Sequence, residues 1–96
     1  MNLEFEWDAD KERANIKRHG LDFTTAAHVF SDVNRLEYYD YKHSEDENRY
    51  IVIGAINGTL TIVVVVYTLR DSNRIIRIIS ARPAEKWEED EYYEHC

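Results

Sequence analysis

The spacing of apolar residues changes along the chain from a helical period to an extended one. In the first third, apolar side chains recur at the three- and four-residue spacing of one buried helix face: Phe23, Ala26, Ala27 and Phe30. Further along, segments rich in Ile, Val, Tyr and Thr predict strands over 35–41, 48–56, 59–69 and 75–82. The pattern therefore predicts helices first and a β-sheet after them.

Capping residues delimit one further strand and one further helix near the N terminus. A short strand over 3–7 runs into Asp8, whose carboxylate is a good helix N-cap, and a polar helix follows over 9–18. Gly20, followed by the apolar Leu21, is typical of a helix that closes through a left-handed residue. Two helices therefore separate this first strand from the rest of the sheet.

A final helix follows the last strand. Pro83 suits the first position of a helix, which continues over 85–95 with Trp87 and either Tyr92 or Tyr93 as apolar anchors. The order β-α-α-β-β-β-β-α predicts an α+β fold, in which an antiparallel β-sheet is flanked by two N-terminal helices and a C-terminal helix. No linker or repeat interrupts the 96 residues, so we expect a single domain over the whole chain.

The turn between the second and third of the four clustered strands sets which side chains share a face. Asn57-Gly58 predicts a two-residue type I′ turn, which places Arg49 opposite Val66. Because facing residues point to the same side of a sheet, one face carries a polar group at the open end of this hairpin: Glu45, Glu47, Arg49, Thr68 and Arg70.

The next loop decides which further arginine joins that face. If Asp71–Arg74 forms the loop, Arg77 lies opposite Thr68 and beside the polar group. A loop that differs by one residue turns Arg77 to the other side and brings Ser80 and Arg82 to this one. Both arginines therefore stay candidates.

Composition agrees with an ordinary folded protein and excludes several classes. Hydrophobic residues make up 44% and charged residues 32% of the chain, close to globular averages. The single cysteine, Cys96, excludes a disulfide framework or a cysteine-rich zinc site, and a reducing cytoplasm is the simplest setting. No apolar run approaches the roughly 18 residues that span a bilayer, so we expect no membrane association.

The net charge of −7 disfavours a nucleic-acid partner on average, but the charge is unevenly distributed. The last two strands hold four arginines and no lysine: Arg70, Arg74, Arg77 and Arg82. A planar guanidinium matches phosphate oxygens two at a time. The alternative interpretation is that Glu and Arg on an exposed antiparallel face form cross-strand ion pairs of a few tenths of a kcal/mol.

Several separate motifs, in order, resemble one protein family. They are Phe5-Glu6-Trp7-Asp8, Asn15, Arg18-His19-Gly20, His43-Ser44, Glu47, Arg49, Tyr67-Thr68-Leu69-Arg70 and Arg77-Ile78-Ile79-Ser80-Ala81-Arg82. Together they resemble the BrnT toxins of type II toxin-antitoxin systems, over nearly the whole chain from about Phe5 to Ala84. The strongly acidic composition and the Glu- and Asp-rich tail over 85–94 depart from what an RNA-cleaving protein leads us to expect.

The resemblance implies a RelE-like fold and a metal-independent endoribonuclease that needs no cofactor and arrests translation. It also implies a BrnA-like antitoxin with a ribbon-helix-helix part, which masks the toxin in a hetero-oligomer. Operator DNA is then bound only through the antitoxin. The periodicity by itself predicts no more than a helix-bearing antiparallel sheet.

The family resemblance carries over to six candidate catalytic positions: His43, Glu47, Arg49, Arg70, Arg77 and Arg82. Arg70, with Arg77 or Arg82, would clamp the non-bridging phosphate oxygens, because fixed donors aimed at developing charge contribute strongly to catalysis. Glu47 and His43 would be the general base and acid, in either assignment. Two residues four positions apart lie on one face only in a helix, whereas this segment is predicted to be loop and strand. The spacing of His43 and Glu47 is therefore weak evidence for a metal site.

Two alternatives come from other functional classes. The first is a non-catalytic interaction module that only binds a partner protein through its arginine face. The second is a DNA-binding regulator acting alone, which is disfavoured because no helix carries a basic row suited to a groove. Growth arrest on expression, relieved by the neighbouring gene product, separates the enzyme from the interaction module.

Overall fold

A computed structural model describes residues 3–56 and 58–96 of the chain. Its elements follow the predicted order β-α-α-β-β-β-β-α: β1 (Glu4–Glu6), α1 (Ala9–His19), α2 (Phe23–Ala26), β2 (Leu36–Tyr39), β3 (Tyr50–Ala55), β4 (Ile62–Arg70), β5 (Ile75–Pro83) and α3 (Lys86–Glu94). Two 3₁₀ segments lie between these elements, at Ala27–Ser31 and Tyr41–His43. The apolar stripe predicted as one second helix is thus α2 and the 3₁₀ segment that continues it.

The five strands form one mixed sheet in the order β1-β5-β4-β3-β2. Strands β2 to β5 are antiparallel, whereas β1 pairs with β5 in parallel. The prediction of an antiparallel sheet is therefore wrong at this edge. The helices carry the chain from the β1 edge to the β2 edge, so β1 meets the last strand after a long crossing and no hairpin turn sets its direction.

The two faces of the sheet are covered to different extents. The inner face packs against α2 and the following 3₁₀ segment, which bury Phe23, Ala26, Val29 and Phe30 over Val52, Val63, Val65, Tyr67, Ile76, Ile78 and Ala81. The opposite face, here the outer face, is covered by α3 only at one end, where Tyr92 packs on Ile53, Ile62 and Val64. Helix α3 leaves the rest of the outer face uncovered. None of the helices over the described residues is long and apolar enough to cross a membrane.

The capping predictions for the N-terminal helices are confirmed. The Asp8 carboxylate accepts from the backbone of Asp10 and Lys11, at 2.8 and 3.1 Å. Gly20 closes α1 in the left-handed region at φ 71°, and its N–H donates to Ile16. These local signals place α1 where the sequence predicts it.

Asn15 attaches α1 to the uncovered edge of β5. Strand β1 ends opposite Arg77, so the backbone of Ala81 has no partner strand on that side. The Asn15 amide replaces one: its oxygen accepts from the Ala81 N–H at 3.1 Å, and its nitrogen donates to the Ala81 carbonyl at 2.8 Å. A side-chain amide thus extends the sheet by one residue.

We expect Asn15→Ala to lower the free energy of unfolding by about 1–3 kcal/mol, because it leaves buried backbone groups without partners. Urea denaturation followed by circular dichroism measures the change. Asn34→Ala is the matched control, since Asn34 is exposed. Equal stability of the two variants would show that the Asn15 amide does not support the edge.

The turn predicted between β3 and β4 is wrong. The strands end at Ala55 and Ile62, so a longer loop joins them, and Asn57 lies outside the described residues. The N–H and hydroxyl of Thr59 both bond the carbonyl of Ile56, which draws Thr59 into the loop. Ile51, instead of Arg49, faces Val66. Because 51 and 49 differ by two, every side chain keeps its predicted face.

Both predicted registers between β4 and β5 hold, on opposite sides of a β-bulge. The loop is Asp71–Arg74 with its first three residues at positive φ, and Thr68 pairs with Arg77. The register then shifts between Val66 and Tyr67, so that Val66 pairs with Ser80 and Val64 with Arg82. Two residues an odd number of positions apart normally point to opposite faces of a strand. The extra residue of a bulge between them puts both side chains on the same face. Arg77 and Arg82 therefore both lie on the outer face.

The start of the last helix and one of its predicted anchors, Trp87, differ from the prediction. Pro83 is the final residue of β5, and α3 begins after Glu85, whose N–H donates to the Glu88 carboxylate at 2.8 Å. Trp87 is exposed, whereas Tyr92 is buried and donates to the Asp32 carboxylate at 2.5 Å. Tyr92, one of the two tyrosines proposed, is the anchor of α3.

Candidate active site

A row of polar side chains crosses the open part of the outer face. Thr68 on β4 pairs with Arg77 on β5, which pairs with Glu6 on β1. The Tyr50 and Tyr67 pair places the preceding residue, Arg49, beside Thr68. On the far edge, the N–H of Asp40 donates to the Arg49 carbonyl at 2.8 Å. The row therefore contains Glu6, Arg77, Thr68, Arg49 and Asp40.

Glu47 links two of the candidate arginines at the end of this row. Its carboxylate lies 3.4 Å from Arg49 Nε and 3.2 Å from Arg70 Nη2. All three side chains are about one third to one half exposed, so solvent or a ligand reaches them. Glu47 is thus held between two guanidinium groups at an accessible position.

His43, Glu47 and Arg49 line one open cleft of about 410 Å³, together with Lys42, Glu45 and Asp46. His43 is in the 3₁₀ turn that follows β2, and its side chain is 61% exposed. The structure therefore brings the sequence-predicted acid and base candidates to the same cleft. Within residues 3–56 and 58–96, no group of three or more His, Cys, Asp or Glu side chains could hold a metal ion.

His43 is held by a carboxylate that sequence reasoning missed. Its Nδ1 lies 3.0 Å from Oδ2 and 3.3 Å from Oδ1 of Asp40, a residue only 7% exposed. The only sequence signal is an acidic residue three positions before a histidine, which by itself is common. The pair is visible only in the structure, where the 3₁₀ turn brings His43 back against Asp40.

Arg77 is paired within the row. Its Nη1 donates to Glu6 at 2.6 Å, and both side chains are roughly one third exposed. Glu6 was not a predicted partner, because the sequence does not reveal that β1 pairs with β5. Arg77 is therefore oriented by the strand at the edge of the sheet.

Arg82 lies apart from the His43 cleft, at the base of α3. Its two Nη atoms contact the Glu88 carboxylate at 2.7 and 2.8 Å. Burial acts to raise the pKa of Glu88, but hydrogen bonds from Arg82 and from the Glu85 N–H outweigh it and hold the pKa below its usual range. The Glu88 hydrogen bond raises the pKa of Arg82. Arg82 thus shares the outer face but connects the sheet to α3.

The open part of the outer face is close to neutral. The three arginines of the row and its margin, Arg49, Arg70 and Arg77, contact the carboxylates of Glu47 and Glu6. Exposed pairs of this kind contribute about 0–1 kcal/mol each to stability. A phosphate can therefore compete for the guanidinium groups at small cost.

Comparison with known families identifies the class of protein to which this chain belongs. Residues 7–88 match the family model described as the ribonuclease toxin, BrnT, of type II toxin-antitoxin systems. The match covers most of the chain, including every candidate residue on the outer face. The comparison with curated proteins finds no match.

The chain belongs to the BrnT family. The resemblance seen in the sequence motifs is therefore confirmed. Membership makes it a ribonuclease toxin by family, with RNA as the substrate class and an antitoxin as the partner. The α+β order of elements is consistent with that family.

Proposed function

We propose that the open outer face cleaves RNA by attack of a ribose 2′-hydroxyl on the adjacent phosphorus, without a metal ion. The observation that carries the proposal is the joining of His43, Glu47 and Arg49 in one cleft, with Arg70 attached through Glu47. General acid and base groups and cationic donors then surround one phosphodiester. These are the parts that the reaction needs.

The reaction is a transesterification in which atoms and charge balance. The 2′-oxygen forms a bond to phosphorus as its proton passes to a base, for which we assign Glu47. The bond from phosphorus to the 5′-oxygen breaks as His43 gives that oxygen a proton. The products are a 2′,3′-cyclic phosphate and a 5′-hydroxyl end, and both residues return to their first state after one proton exchange with solvent.

Arg49, Arg70 and Arg77 supply the charge stabilisation in this proposal. Arg70 and Arg77 lie on the neighbouring strands β4 and β5, and Arg49 immediately precedes β3. Donors fixed before the reaction avoid a reorganisation cost. Binding of the phosphate loosens their present contacts with Glu47 and Glu6, which frees Glu47 to accept the proton. Arg82 is left out of this set because Glu88 binds both of its Nη atoms.

The test uses an unstructured RNA and a copy with 2′-deoxyribose at the cleaved position, both assayed in EDTA. We expect cleavage of the RNA alone, with 2′,3′-cyclic phosphate ends identified by mass spectrometry. Cleavage of the deoxy copy at that position would contradict attack by the 2′-hydroxyl. Loss of wild-type activity in EDTA would contradict the metal-free reaction.

We further propose the finer family properties for this chain. They are a RelE-like architecture, arrest of translation in the cytoplasm, and masking by a BrnA-like antitoxin whose ribbon-helix-helix part binds operator DNA. The supporting observation is the family match together with an outer face that α3 leaves partly open. Expression should stop growth and reduce incorporation of labelled amino acids, and co-expression of the antitoxin should reverse both effects.

A non-catalytic interaction module is the second candidate, and the ion pairs favour it. Each arginine on the outer face already contacts a carboxylate, as expected for a binding surface of balanced charge. The same RNA assay separates the two candidates. A binding module would leave the RNA intact while still forming a complex with the antitoxin.

A further inference from the structure

Asp40 is a buried carboxylate that contacts His43. It follows β2 at the edge of the sheet and is only 7% exposed, yet its side chain accepts from His43 and from no other side chain among the described residues. Burying a carboxylate costs free energy unless a partner compensates. The position therefore points to a role that depends on His43.

We propose that Asp40 is the positioning residue for His43 in RNA cleavage. The Asp40 carboxylate accepts a hydrogen bond from the His43 Nδ1–H, which leaves Nε2 as the atom that exchanges a proton in the cleft. A carboxylate at Nδ1 also stabilises the imidazolium that a proton transfer creates or consumes. This inference rests on the proposed function, because it deepens the role of a residue in the same cleft.

Hydrogen bonds join the two ends of the loop that carries Asp40 and His43. Asp40 N–H donates to the Arg49 carbonyl at 2.8 Å, and the Ser44 hydroxyl donates to the Asp40 carbonyl at 2.6 Å. The Arg49 N–H in turn donates to the Ser44 hydroxyl at 2.9 Å. These hydrogen bonds hold the backbone that carries Asp40 and His43 next to Arg49.

Charges from the neighbouring segments face His43 as well. The cleft is also lined by Lys42, Glu45, Asp46, Glu47 and Arg49. Of the carboxylates lining this region, Asp40 is the one within hydrogen-bond distance of the ring. A change confined to Asp40 therefore tests the contact itself.

The experiment compares Asp40→Asn with Asp90→Asn in the RNA assay, since Asp90 lies on α3 and does not line the cleft. Asp40→Asn should lower kcat at least tenfold and leave KM within about twofold; the same change in a hydrolase triad costs about 10⁴. Asp90→Asn should remain within about twofold of the wild type, as expected for an exposed charge outside the cleft. Asp40→Glu, which keeps the charge, should recover part of the lost activity.

A double variant and a spectroscopic measurement decide how Asp40 acts. In a His43→Ala background, Asp40→Asn should have no further effect, because a positioning residue acts only through its partner. In ¹⁵N NMR spectra of the wild type, neutral His43 should carry its proton on Nδ1. An equal loss in the His43→Ala background, or a proton on Nε2, would overturn the inference.

The NMR result separates this inference from the proposed function. If the wild type cleaves no RNA, the proposed function fails, while the position of the His43 proton still tests the contact. If the wild type cleaves RNA and the His43 proton lies on Nε2, only the positioning role fails. The measurement uses the folded wild type, so it does not depend on whether Asp40→Asn folds.

Discussion

Alanine in place of Arg70 or Arg77 should lower kcat for RNA cleavage by about 10²–10³ while the protein stays folded. Each change removes fixed donors that would stabilise the charge developing on the phosphate. The carboxylates left behind, Glu47 and Glu6, are about one third exposed, so their loss of a partner costs little stability. Single-turnover cleavage in EDTA, with melting curves for every variant, measures the effect.

Arg74→Ala is the matched control for these two variants. Arg74 belongs to the loop between the same two strands, and its side chain is 73% exposed. The Arg74→Ala protein should cleave RNA at the wild-type rate. Lysine at position 77 should restore only part of the activity, because an ammonium keeps the charge but not the planar fork. Wild-type cleavage by both Arg70→Ala and Arg77→Ala would remove the arginine clamp.

Loss of Arg82 should act on stability more than on chemistry. The Glu88 side chain is 4% exposed, and Arg82→Ala leaves it buried without its main partner. Breaking a fully buried pair costs about 3–5 kcal/mol, and we expect about 2–4 kcal/mol here because the Arg82 side chain stays 36% exposed. Urea denaturation at neutral pH measures the loss.

A second substitution and a pH series test whether the unpaired Glu88 carboxylate causes the loss of stability in Arg82→Ala. Glu88→Gln in the Arg82→Ala background should recover most of the stability, since the glutamine oxygen can still accept from the Glu85 N–H. Because the pair holds the pKa of Glu88 below its ordinary value of 4.5, its contribution is full above that value. It is lost as the pH falls through the lowered pKa, so the difference from wild type should shrink in acid. Unchanged stability with abolished cleavage would instead return Arg82 to the catalytic group.

The predicted grouping of side chains on one face of the sheet is confirmed, although the predicted two-residue turn is wrong. The longer loop moved the register by two residues, and a strand repeats its orientation every two, so Glu47, Arg49 and Arg70 stayed together. A slip of one residue would have separated them. The prediction that these side chains share a face is thus correct because the register differs by an even number of residues, although the predicted turn is wrong.

Local chemistry alone determined the caps of α1 and the approximate positions of the helices and strands of this protein. The Asp8 carboxylate and the left-handed Gly20 act within a few residues, so their effect is legible in the sequence. The family likeness also came from motifs that can be read without a fold. Both kinds of signal are contained in short stretches of chain.

Tertiary structure decided the contacts between distant segments. The parallel pairing of β1 with β5 joins Glu6 to Arg77, the β-bulge brings Arg82 to the outer face, and α3 carries Glu88 to it. Each depends on where the chain returns after a long connection. Pattern and propensity describe each segment in isolation, whereas these pairings depend on how the whole core packs, and the partners of the arginines follow from that packing.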